Sequence, residues 1–405
     1  MYVEREIHQA VRKHLDRKEY TIITGPRQSG KTTLIKVLSE DLKGENNEVD
    51  FLSLEDRDIL KAVNTHPEEL FSFIPRREQR SYLFLDEIQY ASDPSNLLKY
   101  LFDKYHEKIK IIATGSSAFY IDEKFQDSLA GRKRTFELKT LSFMEFLRFR
   151  KLSDLGKDLL AIRSQDGFLS LHRHQLMQSM EEYLVFGGYP EVVLEDEPGE
   201  KIELLKEIRD SFLKKDIDES GIADPDKFYM LLTLLADQTG NLANRSELAN
   251  TIGVSSKTID RYLQVLRRCY YIELLKPFHG NHRKELSKMP KVYFKDSGLR
   301  NSALARFHGF QSRQDRGQLV ENQVFKRLSS QYESENLRFW RFDDRKEVDF
   351  VILHSFQEGM AYEVKLKCPS GTIKSLSSFS EKYPKFQTGI ISFESSEKCK
   401  WILSL

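Results

Sequence analysis

The chain is 405 residues long, with 63 Lys+Arg against 62 Asp+Glu, a formal net charge of +1 and 40% hydrophobic residues. That length accommodates roughly two to four domains with separate cores, and the balanced charge excludes a globally basic nucleic-acid binder, so any basic surface has to be local. Cys269, Cys368 and Cys399 lie far apart in sequence, which excludes a dense disulfide framework and a paired-cysteine zinc site and points to a reduced setting. Met1 to Glu6 lacks the basic and apolar regions of a leader, and no apolar run has membrane-spanning length, so a cytoplasmic protein without a membrane partner is expected.

In chain order, Val3 to Leu15 has the spacing of an amphipathic helix, and Tyr20-Thr21-Ile22-Ile23 that of a buried strand. Gly25-Pro26-Arg27-Gln28-Ser29-Gly30-Lys31-Thr32 follows, a glycine, four residues and then Gly-Lys-Thr, set between that strand and a helix from Thr33 to Leu42. This is the phosphate-binding P-loop spacing. Its glycines allow a tight backbone whose N–H groups approach phosphate, and the following helix presents its positive end. Gly25, Pro26, Arg27, Gln28, Ser29, Gly30, Lys31, Thr32 and Thr33 form the expected nucleotide-binding set for ATP. Lys31 is placed to reach the β- and γ-phosphates, and the Thr32 hydroxyl to hold Mg²⁺.

Glu48 to Glu55 suits a second strand, and Tyr82-Leu83-Phe84-Leu85-Asp86-Glu87 a third, apolar and ending in two acids. Behind a P-loop this is the Walker B pattern. Asp86 then serves the metal, and Glu87 polarises the attacking water as general base. Lys110 to Thr114 reads as a further strand running into Gly115-Ser116-Ser117. Thr114 and Ser116 either contact the γ-phosphate or the water, or cap a helix. These elements describe an α/β protein with a parallel sheet covered on both faces.

The quoted segments resemble the AAA+ ATPases, in particular a prokaryotic branch carrying Gly-Pro-Arg-Gln-x-Gly-Lys-Thr, Leu-Asp-Glu-Ile-Gln (Leu85 to Gln89) and Thr-Gly-Ser-Ser (Thr114 to Ser117). Ser128-Leu129-Ala130-Gly131-Arg132 and the strand-like Thr135 to Leu138 extend the match. The resemblance implies an arginine near the nucleotide end of the sheet. That makes Arg132 either a catalytic arginine finger or phosphate sensor, in cis or in trans, or one surface charge in the cluster Arg132, Lys133, Arg134. Ser142 to Leu213 is mostly helical, opened by a capping signal at Ser142 and broken at Phe186-Gly187-Gly188-Tyr189-Pro190. It looks like the helical lid behind AAA+ cores.

Asn244 to Leu263 has a helix-turn-helix form in which Ser246 caps the first helix, Gly253 turns and Ser255 caps the second. Tyr271 to Leu275 and Lys291 to Phe294 then read as wing strands around the polar loop His279 to Lys288. Ser256, Lys257, Thr258 and Arg261 would line a recognition face, with His282, Arg283, Lys284 and Lys288 on the wing. Such a winged helix either binds DNA or packs between domains.

Asp315 to Phe325 reads as a helix containing Glu321. Glu347 to Leu353 and Met360 to Leu366 read as a strand pair turning at Gln357-Glu358-Gly359. An acid at Asp349 inside an apolar strand calls for a partner or a metal. Glu321, Asp349 and Glu363-x-Lys365 resemble the restriction-endonuclease-like signature, and also the C-terminal domain that follows this AAA+ branch. The resemblance implies Mg²⁺ on Glu321, Asp349 and Glu363, with Asp349, Glu363 and Lys365 catalytic. The other outcome is a binding module in which Lys365 neutralises the acids. The expected order is an AAA+ P-loop ATPase core at 1–141, a helical lid at 142–235, a winged-helix domain at 236–300 and a restriction-endonuclease-like α/β domain at 301–405.

Overall fold

The computed structural model describes residues 2–75, 79–115, 129–165, 167–279, 288–343, 346–355 and 357–405. They form two compact units, Met1–Leu141 with Arg268–Tyr270, and Ser142–Arg267 with Tyr271–Leu405.

In the first unit the strands are β1 (Tyr20–Thr24), β2 (Val49–Ser53), β3 (Ser81–Asp86), β4 (Ile109–Gly115) and β5 (Lys133–Glu137). All neighbours pair in parallel, in the order β2-β3-β4-β1-β5. Strand alternation sorts their side chains onto two faces. Ile22, Leu83, Leu85, Ile111 and Ala113 pack with Leu97, Leu98 and Leu101 of helix α4 (Pro94–Tyr105). Ile23, Phe84 and Ile112 pack with Leu34, Ile35, Leu38 and Leu42 of α2 (Lys31–Gly44). Each such fully buried Leu or Ile stabilises the unit by about 1.5–3 kcal/mol. Two further helices are α1 (His8–His14) and α3 (Arg57–Thr65). Helix α1 is shorter than the Val3 to Leu15 spacing predicts; upstream of it, the Arg5 side chain reaches across to the backbone at Ser29 and Lys139.

The second unit opens with α5 (Phe143–Phe149), α6 (Ser153–Ser164) and α7 (Arg173–Phe186). Helix α5 begins with the expected capping box, Ser142 Oγ accepting from Glu145 N–H at 3.1 Å and Glu145 accepting from Ser142 N–H at 2.9 Å. There follow α8 (Pro190–Leu194), α9 (Pro198–Ser220), α10 (Pro225–Asp237), α11 (Arg245–Ile252) and α12 (Ser256–Arg268). The break after α7 has a steric cause. Gly187 sits at φ 76°, and a Cβ there would lie 2.1 Å from Asp296 Oδ1. The same carboxylate accepts from Gly188 N–H at 2.9 Å and caps α13 (Ser297–Ala303).

Helices α11 and α12 meet at Gly253, left-handed at φ 73°. Ser255 caps α12 as expected, accepting from Thr258 N–H at 3.1 Å. The cap of α11 is Asn244 rather than Ser246; its carboxamide oxygen accepts from Ser246 and Glu247 N–H, two positions earlier than the sequence reading placed it. An antiparallel pair follows, β6 (Ile272–Leu275) with β7 (Lys291–Phe294).

The C-terminal sheet runs β12-β11-β10-β9-β8, from β8 (Leu337–Asp343), β9 (Lys346–Leu353), β10 (Gly359–Lys365), β11 (Phe386–Ser392) and β12 (Lys400–Trp401). The β8/β9 and β9/β10 pairs are antiparallel and β10/β11 is parallel. Its helices are α14 (Arg316–Gln331) and α15 (Lys374–Lys382). Cys368 and Cys399 form a disulfide, with Cα atoms 5.9 Å apart, while Cys269 is free and buried. The sheet brings together cysteines 31 residues apart, a pairing that the expected reduced setting did not foresee. Among the described residues, no helix is long and apolar enough to cross a membrane.

The two glycine turns test this account. Gly253→Ala meets nothing within 4 Å and should cost about 1–2 kcal/mol, the penalty of a left-handed alanine. Gly187→Ala adds a clash with Asp296 and should cost roughly 2–4 kcal/mol. Urea denaturation of the two variants in parallel measures the difference.

Candidate functional site

The register places the C-terminal ends of β1, β3 and β4 at one edge of the parallel sheet, with Thr24 opposite Gly115 and Ser53 opposite Asp86. The loop Gly25 to Gly30 leaves that edge and enters α2. Gly25 lies at φ 145° with a virtual Cβ 2.1 Å from the Leu138 carbonyl oxygen, so any side chain there collides with backbone. Gly30 opens α2 at φ 94°. Lys31 is 4% exposed and folds back to donate to the carbonyls of Gly25 at 3.1 Å and Pro26 at 2.8 Å. Thr32 is half-buried and Thr33 exposed on the first turn of α2; Arg27 is half-buried and Gln28 exposed.

The Ser29 hydroxyl is fully buried without a hydrogen-bond partner. Such a group costs about 1–3 kcal/mol, and it sits where the loop backbone meets the positive end of α2. An anion such as phosphate is the ligand chemistry that fits this cradle. Arg5 was not singled out by sequence reasoning. Its guanidinium, 4% exposed, donates to Ser29 O at 2.6 Å and Lys139 O at 2.7 Å, tying the loop to the segment after β5. A lone arginine before the first helix carries no local signal of that role.

Asp86 closes β3 at 6% exposure. From the adjacent strand, Thr114 Oγ donates to Asp86 Oδ1 and accepts from Glu87 N–H at 3.0 Å. One hydroxyl therefore positions both acids. Glu87 itself is left-handed at φ 55°, and its carboxylate accepts from the Gln89 side-chain amide. Strain of this kind costs on the order of 1–3 kcal/mol and gathers at functional sites. Ser116 lies outside the described residues.

Arg132 stands apart from this group. It precedes β5 at the opposite edge, where its carbonyl accepts from Tyr20 N–H at the start of β1. The length of β1, roughly 13 Å at strand rise, separates it from the loop of its own chain. Its guanidinium pairs with Asp103 at 2.6 Å. Parallel pairing with β1 sets Arg132 at the other edge of the sheet from the loop of its own chain.

On the expected recognition face of α12, Ser256 and Lys257 are exposed and Thr258 half-buried. Arg261 instead donates to the carbonyls of Ser220 at 2.8 Å and Gly221 at 2.9 Å, capping α9. Asp260 pairs with Arg245 at 2.7 Å. Lys288 is exposed, while His282, Arg283 and Lys284 lie outside the described residues.

In the C-terminal sheet, Asp349 and Glu363 are each 8% exposed on the paired strands β9 and β10. Glu321 approaches from α14. The predicted residues do converge, but around a residue sequence reasoning did not weigh. Lys291 of β7, 1% exposed, places Nζ 3.1 Å from Glu321 Oε1, 3.2 Å from Asp349 Oδ1 and 2.6 Å from Glu347 Oε1. Tyr293 donates to Glu321 at 2.6 Å, and Val364 N–H to Asp349 Oδ2 at 2.9 Å. Glu363 takes Lys365 at 2.8 Å and Ser375 at 3.4 Å.

These residues do not fit the Mg²⁺ implied by the resemblance, because an ammonium stands where the carboxylates meet. Among the described residues, no group of three or more His, Cys, Asp or Glu is arranged to hold a metal ion. Burial, then the neighbouring Asp349 charge, pushes the Glu321 and Glu363 carboxyls up to about 7. Burial pulls the Lys291 ammonium down, but Tyr293 and the charges of Glu321, Asp349 and Glu347 together hold it well above its ordinary value.

With this geometry established, residues 17–147 match the family described as AAA domain. Residues 177–309 match a domain of unknown function (DUF8612), and residues 316–402 another (DUF4143). The N-terminal part is thus similar to AAA domains in sequence, and it carries the parallel sheet and glycine loop of a P-loop fold. Uncharacterized protein MJ1544 of Methanocaldococcus jannaschii is 26% identical over 346 residues, 83% of this chain and 73% of the relative. Uncharacterized protein MJ1637 of the same organism is 31% identical over 296 residues, 69% of this chain and 61% of the relative, so the chain spans less than two thirds of that protein. AMPPCP-bound DnaA from Aquifex aeolicus is a solved structure with a TM-score of 0.31 and 16% identity, over 66% of this chain and 89% of that one.

The raised Glu321 and Glu363 carboxyls fix the sign of a pH effect. Between the ordinary glutamate value of 4.5 and about 7, the folded state retains protons that the unfolded state releases. Their stabilisation is therefore complete below that window and is lost as pH rises through it. Melting temperature measured from pH 5 to pH 8 should fall more steeply for wild type than for Glu321→Gln.

Proposed function

We propose that this protein is an AAA+ ATPase that binds ATP with Mg²⁺ at the Gly25 to Thr32 loop and hydrolyses it. The observation that carries the proposal is the meeting, at one sheet edge, of the buried Ser29 hydroxyl with Asp86 and Glu87, both held by Thr114. On this reading, loop N–H groups and the α2 terminus bind the phosphates. Lys31 exchanges its two backbone carbonyls for β- and γ-phosphate oxygens. Thr32 and Asp86 offer the hard oxygen donors that suit Mg²⁺, which supplies charge neutralisation when bound.

Glu87 orients the attacking water and takes its proton as the oxygen–phosphorus bond forms and the β–γ bridge breaks. Its left-handed backbone, hydrogen-bonded through Thr114, presets that orientation before nucleotide arrives. Gln89 restrains the same carboxylate.

The turnover drives or switches the second unit. Helices α11 and α12 with the β6/β7 pair support a winged helix, and exposed Ser256 and Lys257 leave DNA a place to bind. The Arg261 cap and the Asp260 pair narrow that face to part of α12. Asp349, Glu363 and Lys365 on adjacent strands support a restriction-endonuclease-like fold in the last domain. The alternative of an ATP-regulated metal-dependent nuclease loses to a nucleotide-dependent binding module with vestigial chemistry, because Lys291 fills the cluster.

Two measurements test this reading. Lys31→Ala should abolish ATP binding in a filter or fluorescence assay. Glu87→Gln should bind ATP normally while turnover drops by roughly 10²–10⁴-fold, the usual weight of a general base; wild-type turnover in that variant would sink the assignment. Duplex or single-stranded DNA should stimulate wild-type turnover, and Lys257→Glu should weaken the stimulation.

A further inference from the structure

We infer that Lys291 is the resident cation of the C-terminal carboxylate cluster, locking the β6/β7 hairpin to the last sheet in the position a divalent metal would need. The inference is independent of the ATPase reading, since every residue involved lies in the second unit.

Three carboxylate oxygens, from α14 and from two positions of β9, converge on one Nζ at 2.6 to 3.2 Å. That spacing matches an ammonium, which donates three charge-assisted hydrogen bonds. Divalent magnesium binds oxygen at about 2.0–2.1 Å, so a metal and Lys291 exclude one another here. The lysine is also held from behind. Phe294 N–H donates to the Asn322 side chain at 2.8 Å, and Asn322 donates back to the Phe294 carbonyl at 3.0 Å, so α14 pairs with β7 as a short extra strand would. The Tyr293 ring stacks on Phe325 of α14 with centroids 4.4 Å apart. On the other side of β7, Val292 exchanges backbone hydrogen bonds with Gly240 and Asn241. The hairpin that follows the helix pair is therefore fixed to β9 by charge at Lys291 and to α14 by ring and amide contacts at Tyr293 and Phe294.

The two functions of the cluster are separable by metal binding. In nucleotide-free full-length protein, Mn²⁺ titrated alone and followed by electron paramagnetic resonance should show no site that Asp349→Asn removes. Lys291→Ala should bind Mn²⁺ at least about ten-fold more tightly than wild type, and the gain should vanish in Lys291→Ala/Asp349→Asn. If Lys291→Ala does not fold, Lys291→Met keeps the volume while removing the charge. Its melting temperature should fall by roughly 5–10 °C, with part of the loss restored by adding Glu321→Gln. A wild-type Mn²⁺ site lost in Asp349→Asn would overturn the inference. So would a Lys291 variant that gains no Mn²⁺ site and keeps the wild-type melting temperature.

Discussion

A charged side chain can be buried only where the surrounding groups replace its lost hydration, and three of the buried basic residues show how this chain meets that constraint. Lys291 is surrounded by carboxylates. Arg300, fully buried, meets Asp315, Gln318 and the carbonyl of Ala236. Lys110, also fully buried, points at the backbone carbonyls of His14, Arg17 and Glu19. Each of the three gathers chain segments remote in sequence. Removing a carboxylate partner from Lys291 or Arg300 strands a buried charge at a cost of about 3–5 kcal/mol, so these residues specify which segments meet.

The phosphate-loop edge shows a different economy. Its geometry comes from backbone conformation rather than charge. Two glycines and the left-handed Gln28 and Glu87 shape the loops, and the parallel register aligns them. Asp86 and Glu87 are then linked through one neighbour, Thr114. The sheet does the orienting, and this agrees with the general siting of ligands at the carboxyl edge of parallel strands.

Local signals carried much of this architecture. The Gly-x4-Gly-Lys-Thr spacing, the apolar run into Asp86-Glu87, the Ser142–Glu145 box and the Gly253 turn each depend on residues a few positions apart, and each appears at its expected place. The four C-terminal residues Glu321, Asp349, Glu363 and Lys365 also converge. What escaped is long-range. Lys291 looks like an ordinary lysine at the start of a strand, and only the fold reveals a separation of 58 positions between it and Asp349 closed to a hydrogen bond. The far-edge position of Arg132 was not legible, because a resemblance supplies a motif without the strand direction that places it. The Cys368–Cys399 pair was missed for the same reason, since chain separation says little about distance across a sheet. Asn244 displaced Ser246 at the α11 cap because both residue types cap helices and propensity does not fix the position.

That cysteine pair has a topological consequence. Cys368 follows β10 and Cys399 precedes β12, so the bond closes a covalent ring around α15 and β11. A single backbone cut inside the ring leaves both fragments attached. A machine that unfolds and threads the chain from its C-terminal side meets the ring at Cys399. It must then admit two strands abreast through its pore, or stall until the bond is reduced.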